Sequence, residues 1–441
     1  MVQRLRNFFV TPILAKASLP EWNSCTASVW VRNASGRSMT RNRLWLVLLI
    51  LLVARGEGAA RDRLDTGPTA ISPEVRALYR KAIVIDTHDD TPSRISIEGV
   101  DIGKRLPDGN VDIPRLLDGG DTGIFFSIWP DPVFVPHDSI RRSLELIDLV
   151  YKTIDANPDR IGLAVTAADV IRLKKEGKVA ALLGIEGGHA IENNLAALRM
   201  FHRLGVRYMT LTHSNTNDWA DSSTDTPRWH GLNDLGKSVV REMNRIGMIV
   251  DLSHVSDETF YAALQVTTKP VILSHSSCRA LDNHPRNATD DMLSALAKNG
   301  GVVGINFYSE FVDQHFRDAM LARKKDLLAQ FNNNARNQTS DPDEASRKSW
   351  YELKHYTDGV PRPPFSALID QIDHAVKVAG VDHVGLGSDF DGAPSTPQGV
   401  DSMLDIIKIA QALKDRGYKD EDIQKILGGN FLRVLREVTG N

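Results

Sequence analysis

At 441 residues with a net charge of −3, the chain is 42% apolar and 25% charged, an ordinary soluble composition with no basic surplus to suggest a nucleic-acid partner. The length allows two or three average domains, but a single large barrel is the economical reading because such barrels run from about 200 to more than 400 residues.

The first sixty residues stand apart. Arg41 and Arg43 precede the apolar run LWLVLLILLVA (44 to 54), and Gly58, Ala59 and Ala60 follow. That charged, apolar, small-residue order is that of a secretory signal, and the apolar core is shorter than the roughly twenty residues of a transmembrane span. Residues 39–60 are therefore expected to direct export, with cleavage near Ala60 and no stable membrane span afterwards; an uncleaved signal anchor is the alternative. Residues 1–38, upstream of Met39, read as an over-extended start, and 61–441 as the functional domain. Cys25 falls in the segment expected to be lost, which leaves Cys278 alone and no intramolecular disulfide. No cysteine follows the apolar core to carry a lipoprotein anchor.

The barrel is expected from about Ile71, where Ser72 caps the helix SPEVRALYRKA, to about Val438. Between them eight short apolar runs recur, at 81–90, 121–129, 179–189, 206–213, 247–254, 270–275, 300–308 and 383–392, with helical periodicity in the gaps. Runs of this kind are strands of a parallel sheet buried on both faces, and eight βα units predict an α/β fold, a TIM-like (β/α)8 barrel. Residues 309–364 hold no strand of their own: HFRDAMLARKKDLLAQF reads as a charged amphipathic helix, followed by a polar loop and SWYELKHY. This stretch is expected to be an insertion after strand 7 on the active-site face, serving as a lid or as a solvated excursion.

Polar residues collect where the runs end, which in such barrels is the face that carries the chemistry. His88 and Asp90 end the first run, Glu186 the third, and His254 and His275 the fifth and sixth, each of the last two preceded by serine. One such histidine is ordinarily a satisfied core residue; three at corresponding positions, with two carboxylates, predict a binuclear metal site in which Glu186 bridges. A water shared by two divalent ions can ionise near neutral pH. Cys278 is not needed as a ligand. Asp389 ends the eighth run, where a carboxylate could move a proton, while Asp391 reads better as a capping or supporting group. His213 ends the fourth run and is either a donor to an oxyanion or structural. Arg286 offers a planar fork for a carboxylate, but on the residues alone a surface arginine is the favoured reading, and Tyr308 either lines the pocket or packs beneath the insertion.

Taken in order, DTHDD, GIEGGHAI, RYMTLTHSNTNDWADS, DLSHVS, ILSHSS, Arg286-Asn287, NFY, GLGSDFDG and GGNFLRV resemble the membrane (renal) dipeptidase family of binuclear zinc peptidases over about Ile83 to Val438. The resemblance implies two zinc ions per chain, one held by His88, Asp90 and Glu186 and the other by Glu186, His254 and His275. It implies His213 at the scissile carbonyl or its oxyanion, Arg286 on the substrate carboxylate, Asp389 on the proton in transit and, weakly, Tyr308 in the pocket. The implied reaction is hydrolysis, by a metal-bridging hydroxide, of small dipeptides with a free C-terminal carboxylate and an L- or D-residue on that side, with β-lactam opening as a side activity. The chain departs from the animal members in lacking their cysteines and a hydrophobic C-terminal tail, so their disulfides and glycolipid anchor are not carried over. A homodimer is compatible with the sequence. A related amidohydrolase acting on another bond would more often show His-x-His on strand one and a lysine on strand four. An exported binding barrel that had lost catalysis should lack one of these residues.

Overall fold

The computed structural model describes residues 64–331, 339 and 341–440, so the expected export signal at 39–60 and the stretch upstream of it lie outside the described residues. Nine parallel strands form one sheet: β1 (Ile85–Asp89), β2 (Gly123–Ile128), β3 (Ile161–Leu163), β4 (Val179–Ile185), β5 (Val206–Thr210), β6 (Ile249–Asp251), β7 (Ile272–Ser276), β8 (Val302–Ile305) and β9 (Val384–Leu386). The order is β2-β1-β9-β8-β7-β6-β5-β4-β3, and β2 also pairs with β4 from Gly123↔Ala180 to Ile128↔Ile185. That pairing closes eight of the strands into a parallel, TIM-like barrel. All eight coincide with the apolar runs.

The ninth strand, β3, was not expected. It is three residues long, pairs only with the start of β4, and has two of its three residues partly exposed, so it presents no apolar run to read. Helices fill the connections. The first, Pro73–Lys81, starts as predicted with Ser72 Oγ accepting from Val75 N at 3.2 Å, and it buries Val75, Leu78 and Tyr79. Between β8 and β9 come Ser309–Val312, Gln314–Phe331, Pro342–Lys354 and Phe365–Ala379. No helix among the described residues is long and apolar enough to cross a membrane.

Continuous burial hides a period of two. Ile85, Phe125, Leu182, Tyr208, Ile249, Ile272 and Val302, one from each of seven barrel strands, belong to one apolar cluster, which also holds Phe431 and Leu435 of the last helix, Asn430–Thr439. Their strand neighbours Ile124, Phe126, Ala181, Leu183, Met209, Val250, Leu273 and Val303 belong to a second, larger cluster with the surrounding helices. Successive side chains of a strand point to opposite faces, so the first set fills the barrel and the second carries the helices. The same phase sends Gly184 and Glu186 inward from β4, and Thr210 inward from β5.

Gly184 makes room for Tyr208. A Cβ built at Gly184 would lie 2.0 Å from Cζ of the Tyr208 ring, closer than real Cβ contacts come. Gly184→Ala should therefore destabilise the fold by at least the roughly 1–3 kcal/mol of an overpacked core. Equilibrium urea unfolding measures this directly, and an unchanged midpoint would mean the Tyr208 ring can move aside.

Candidate active site

Most of the polar residues singled out along the chain stand at, or within three residues of, the C-terminal end of a barrel strand; Asp391 lies five residues past β9, and Arg286 lies on the loop ten residues past β7. His88 lies in β1 and Asp90 just beyond it; Glu186 follows β4, His213 follows β5, His254 follows β6 and His275 lies in β7. Tyr308 and Asp389 follow β8 and β9. Strict alternation from the inward Ile85 and Ile272 would turn His88 and His275 toward the helices. The pairing register shifts between Asp86 and Asp89 in β1, and between Leu273 and Ser276 in β7, and each shift spans one of these histidines. Such irregularities re-aim side chains. The two imidazoles come to lie with ring centroids 3.7 Å apart.

Glu186 is the centre of the cluster. Its Oε1 lies 2.8 Å from His254 Nε2, 3.4 Å from His275 Nε2 and 3.7 Å from His213 Nε2, and its Oε2 lies 3.4 Å from His88 Nε2. Ser127 Oγ donates to Oε2 at 3.1 Å. Asp90 Oδ2 is 3.6 Å from His88 Nε2. Burial pushes the Glu186 carboxyl up, but the histidines around it, His88 first, outweigh burial and hold the group well below the usual carboxylate range. Asp90 moves the other way, to about 7, through burial and the charge of Glu186. Burial takes the His213 imidazole down to about 4.

Three sets of side chains present ligand atoms within 4.8 Å of one another: His88, Glu186 and His275; Glu186, His213 and His254; and His88, Asp90 and Asp389. The donor set fits divalent metal. His88 Nε2 and Asp90 Oδ1 are buried without a hydrogen-bond partner, and His254 Nε2 stands 2.9 Å from His275 Nε2, an arrangement of lone pairs that a cation would satisfy. Imidazole and carboxylate together suit zinc among other divalent ions. Gly392 leaves Asp90 its place, since a Cβ there would lie 2.1 Å from Asp90 Oδ2.

His254 and Asp389 both adopt left-handed backbone, with φ of 69° and 62°. Non-glycine residues held there store about 1–3 kcal/mol each, a strain that collects at functional sites. The His254 carbonyl accepts from Ser223 N at 2.8 Å, which holds the turn. Asp389 Oδ2 accepts from Asn306 Nδ2 at 2.9 Å. Asp391 instead accepts from Asn110 N and from Thr91 Oγ1, supporting neighbouring loops. Cys278 turns away and packs against Gln371, its thiol pushed up to about 12 by burial.

The cluster opens into a cavity of about 250 Å³, whose lining also includes Arg286, Tyr308, Trp129, Phe311, Trp350 and Leu353. Arg286 is 5% exposed. Its Nη2 donates to the His275 carbonyl at 3.1 Å and its Nη1 to Ser276 Oγ at 3.3 Å, while its Nε is buried without a partner among the described residues. Burial lowers the guanidinium to about 10. Tyr308 is held by a hydrogen bond from its hydroxyl to Glu310 Oε2 at 2.8 Å. Trp129, Phe311, Trp350 and Leu353 were not singled out from the sequence. Trp129 ends the second apolar run and could have been; the other three lie beyond β8, outside the βα repeat.

A parallel barrel with imidazoles and carboxylates crowded at its mouth is the architecture of a metal-dependent hydrolase. The sequence model of the membrane dipeptidase family, peptidase family M19, matches residues 73–441. The chain is 37% identical over 339 residues to dipeptidase tcpJ of Claviceps purpurea, covering 75% of this chain and 69% of that protein. It is 34% identical over 372 residues to dipeptidase verJ of Clonostachys rogersoniana, covering 80% and 84%. Among solved structures, the probable dipeptidase PvdM from Pseudomonas aeruginosa superimposes with a TM-score of 0.72 at 26% identity, covering 83% of this chain and 98% of that one. The chain belongs to the membrane dipeptidase family and is a metallo-dipeptidase.

The loop that carries Arg286 is tied down by Asn287, whose Nδ2 donates to the carbonyls of Asp282 and Phe311, both at 2.9 Å. Asp282 itself is buried, with Arg317 Nη1 3.6 Å away, and burial pushes its carboxyl up to about 7. An unfolded aspartate loses its proton near 4, so between about pH 4 and 7 the folded state binds more protons and stability falls as pH rises. Asp282→Asn removes this titration. The difference in Tm, variant minus parent, should therefore rise between pH 5 and pH 8; a difference independent of pH would contradict the assignment.

Proposed function

We propose that the protein is a zinc-dependent dipeptidase acting on dipeptides with a free C-terminal carboxylate and an L- or D-residue at that end. The observation that carries this reading is Arg286, a buried guanidinium with an unpartnered Nε, lining the same cavity as the metal-binding cluster. A buried cation is costly unless paired, and a substrate carboxylate supplies the pair. Such a clamp close to the metals favours a carboxylate one residue beyond the scissile bond.

In this reading His88, Asp90, Glu186, His254 and His275 would hold the metal. Bound divalent ions supply Lewis acidity and lower the pKa of a coordinated water. The chain's own residues do the rest. His213, neutral at pH 7, donates to the oxygen of the scissile carbonyl as negative charge develops there. Asp389 takes the proton of the attacking water and returns it to the departing amine, held for that by Asn306. Tyr308 and Phe311 wall the carboxylate end, with the Arg286 guanidinium 5.4 Å from the Phe311 ring centroid.

Residues 309–364 are, on this proposal, an insertion after the seventh barrel strand, whose helix Pro342–Lys354 brings Trp350 and Leu353 to the cavity to set side-chain preference. β-Lactam opening is proposed as a side activity, since the same clamp and cluster suit a cyclic amide bearing a carboxylate. Export directed by residues 39–60 is also proposed, on the residue order given above.

The test is a panel of L-Ala-L-Ala, L-Ala-D-Ala and their C-terminally amidated copies, assayed with metal-stripped and zinc-loaded protein. Zinc-dependent cleavage confined to free carboxylates is expected, and Arg286→Gln should raise KM for them by at least tenfold. Cleavage of the amides at equal rates would refute the clamp, and no cleavage at all would refute the substrate class. For the pocket wall, Trp350→Ala should lower kcat/KM for Leu-Ala relative to Gly-Ala by about tenfold, the 1–3 kcal/mol of a lost apolar contact. Equal losses for both substrates would mean Trp350 does not read the side chain.

A further inference from the structure

Between the apolar filling of the barrel and the histidine cluster lies a layer of buried polar side chains with no part in the proposed chemistry. Tyr208 and Thr210 enter it from β5, Asp251 from β6 and Ser274 from β7, all in the inward phase of their strands. All four are buried.

Two of its contacts determine where histidine protons sit. Tyr208 Oη lies 2.8 Å from His88 Nδ1 and 3.2 Å from the Thr87 carbonyl. A carbonyl oxygen only accepts, so both contacts are hydrogen bonds in one arrangement alone: the phenol donates to Thr87, and His88 Nδ1–H donates to the phenol oxygen. In a neutral imidazole that leaves the lone pair on Nε2, the atom 3.4 Å from Glu186 and buried without a hydrogen-bond partner. Ser274 repeats the logic across the barrel. Its Oγ is 2.6 Å from Asp251 Oδ2 and 2.7 Å from His275 Nδ1. The carboxylate only accepts and takes the serine hydrogen, so His275 Nδ1–H donates to Ser274 and Nε2 keeps its lone pair toward Glu186. Asp251 is itself fixed by Ser253 N at 3.0 Å, Ser274 N at 2.9 Å and Thr210 Oγ1 at 2.5 Å. His254 Nδ1 is buried without a partner among the described residues, and its strained backbone sets its aim.

We infer that Tyr208 and the Asp251–Ser274 pair are positioning residues, holding His88 and His275 as the Nδ1–H tautomers whose Nε2 atoms are ready to bind metal. The inference rests on the metal-binding reading of the cluster and is independent of which peptide is cleaved. Partners of this kind beneath metal-bound histidines typically change metal affinity by about 10–100-fold.

The test uses the full chain stripped of metal. Nitrogen-15 NMR of the histidine rings should show His88 and His275 as Nδ1–H in the parent, with Tyr208→Phe releasing the first and Ser274→Ala the second. In competition with a chromophoric chelator, each variant should bind one of two zinc equivalents about 10–100-fold more weakly than the parent, and Ser274→Thr, which keeps the hydroxyl, should restore it. Apo-protein circular dichroism checks that the fold survives; should a variant fail to fold, the parent's tautomers decide. Nε2–H tautomers in the parent, or variants that bind both equivalents as tightly as the parent, would overturn the inference. A parent that binds no zinc would overturn it together with the metal reading. Zinc binding and tautomers as stated, without dipeptide cleavage, would leave the inference standing and remove only the proposed substrate.

Discussion

The structure turns on one buried carboxylate. Glu186 sits at the mouth of the barrel with four imidazole nitrogens within 3.7 Å of its oxygens. A lone carboxylate in so dry a place would take up a proton, because burial disfavours its charge. Here the surrounding imidazoles outweigh burial and keep it ionised. A carboxylate held among converging imidazole nitrogens suits divalent metal, and several strand ends bring residues to that point. The inward phase of β4 delivers Glu186, register shifts in β1 and β7 turn His88 and His275 toward it, and a left-handed turn after β6 brings in His254.

The eight barrel strands were legible because a parallel barrel buries both faces of each strand, which forces continuous apolar runs, and because polar residues at their ends break those runs abruptly. Glu186, His254 and His275 could be read as a group for the same reason. Alternation alone could not aim His88 and Asp90, since the inward phase set by Ile85 is reset by a register shift that leaves no mark in composition. The left-handed turns at His254 and Asp389 were equally hidden, because nothing in the residue type demands them.

Other parts were illegible for reasons of distance. β3 is too short and too exposed to interrupt its surroundings. Trp350 and Leu353 reach the cavity from a helix beyond β8 that no strand-end signal marks. Tyr208 looked like one more aromatic in an apolar strand, and the space it needs is supplied by Gly184 on the neighbouring strand. Its hydroxyl acquires meaning only when His88, some 120 residues away in the chain, is placed against it.

The arrangement separates two demands that would conflict if one set of residues met both. The metal-binding atoms are fixed from below, through short hydrogen bonds in a layer packed between rigid strands, where a shift of a fraction of an ångström is resisted by close packing. The cavity wall away from the cluster is formed by Trp350, Leu353 and Phe311, from the chain between β8 and β9, and on the proposed function these would meet the substrate. Changes in those segments can alter what the cavity accepts without passing through Tyr208, Asp251 or Ser274. Arg286 joins the two, because its guanidinium hydrogen-bonds to the carbonyl of His275 while its Nε is without a partner among the described residues, and the residue lines the cavity that the proposed clamp would use. On the proposed clamp, this anchorage of Arg286 to His275 would couple the position of the substrate carboxylate to that of the metal cluster, which would favour a dipeptide.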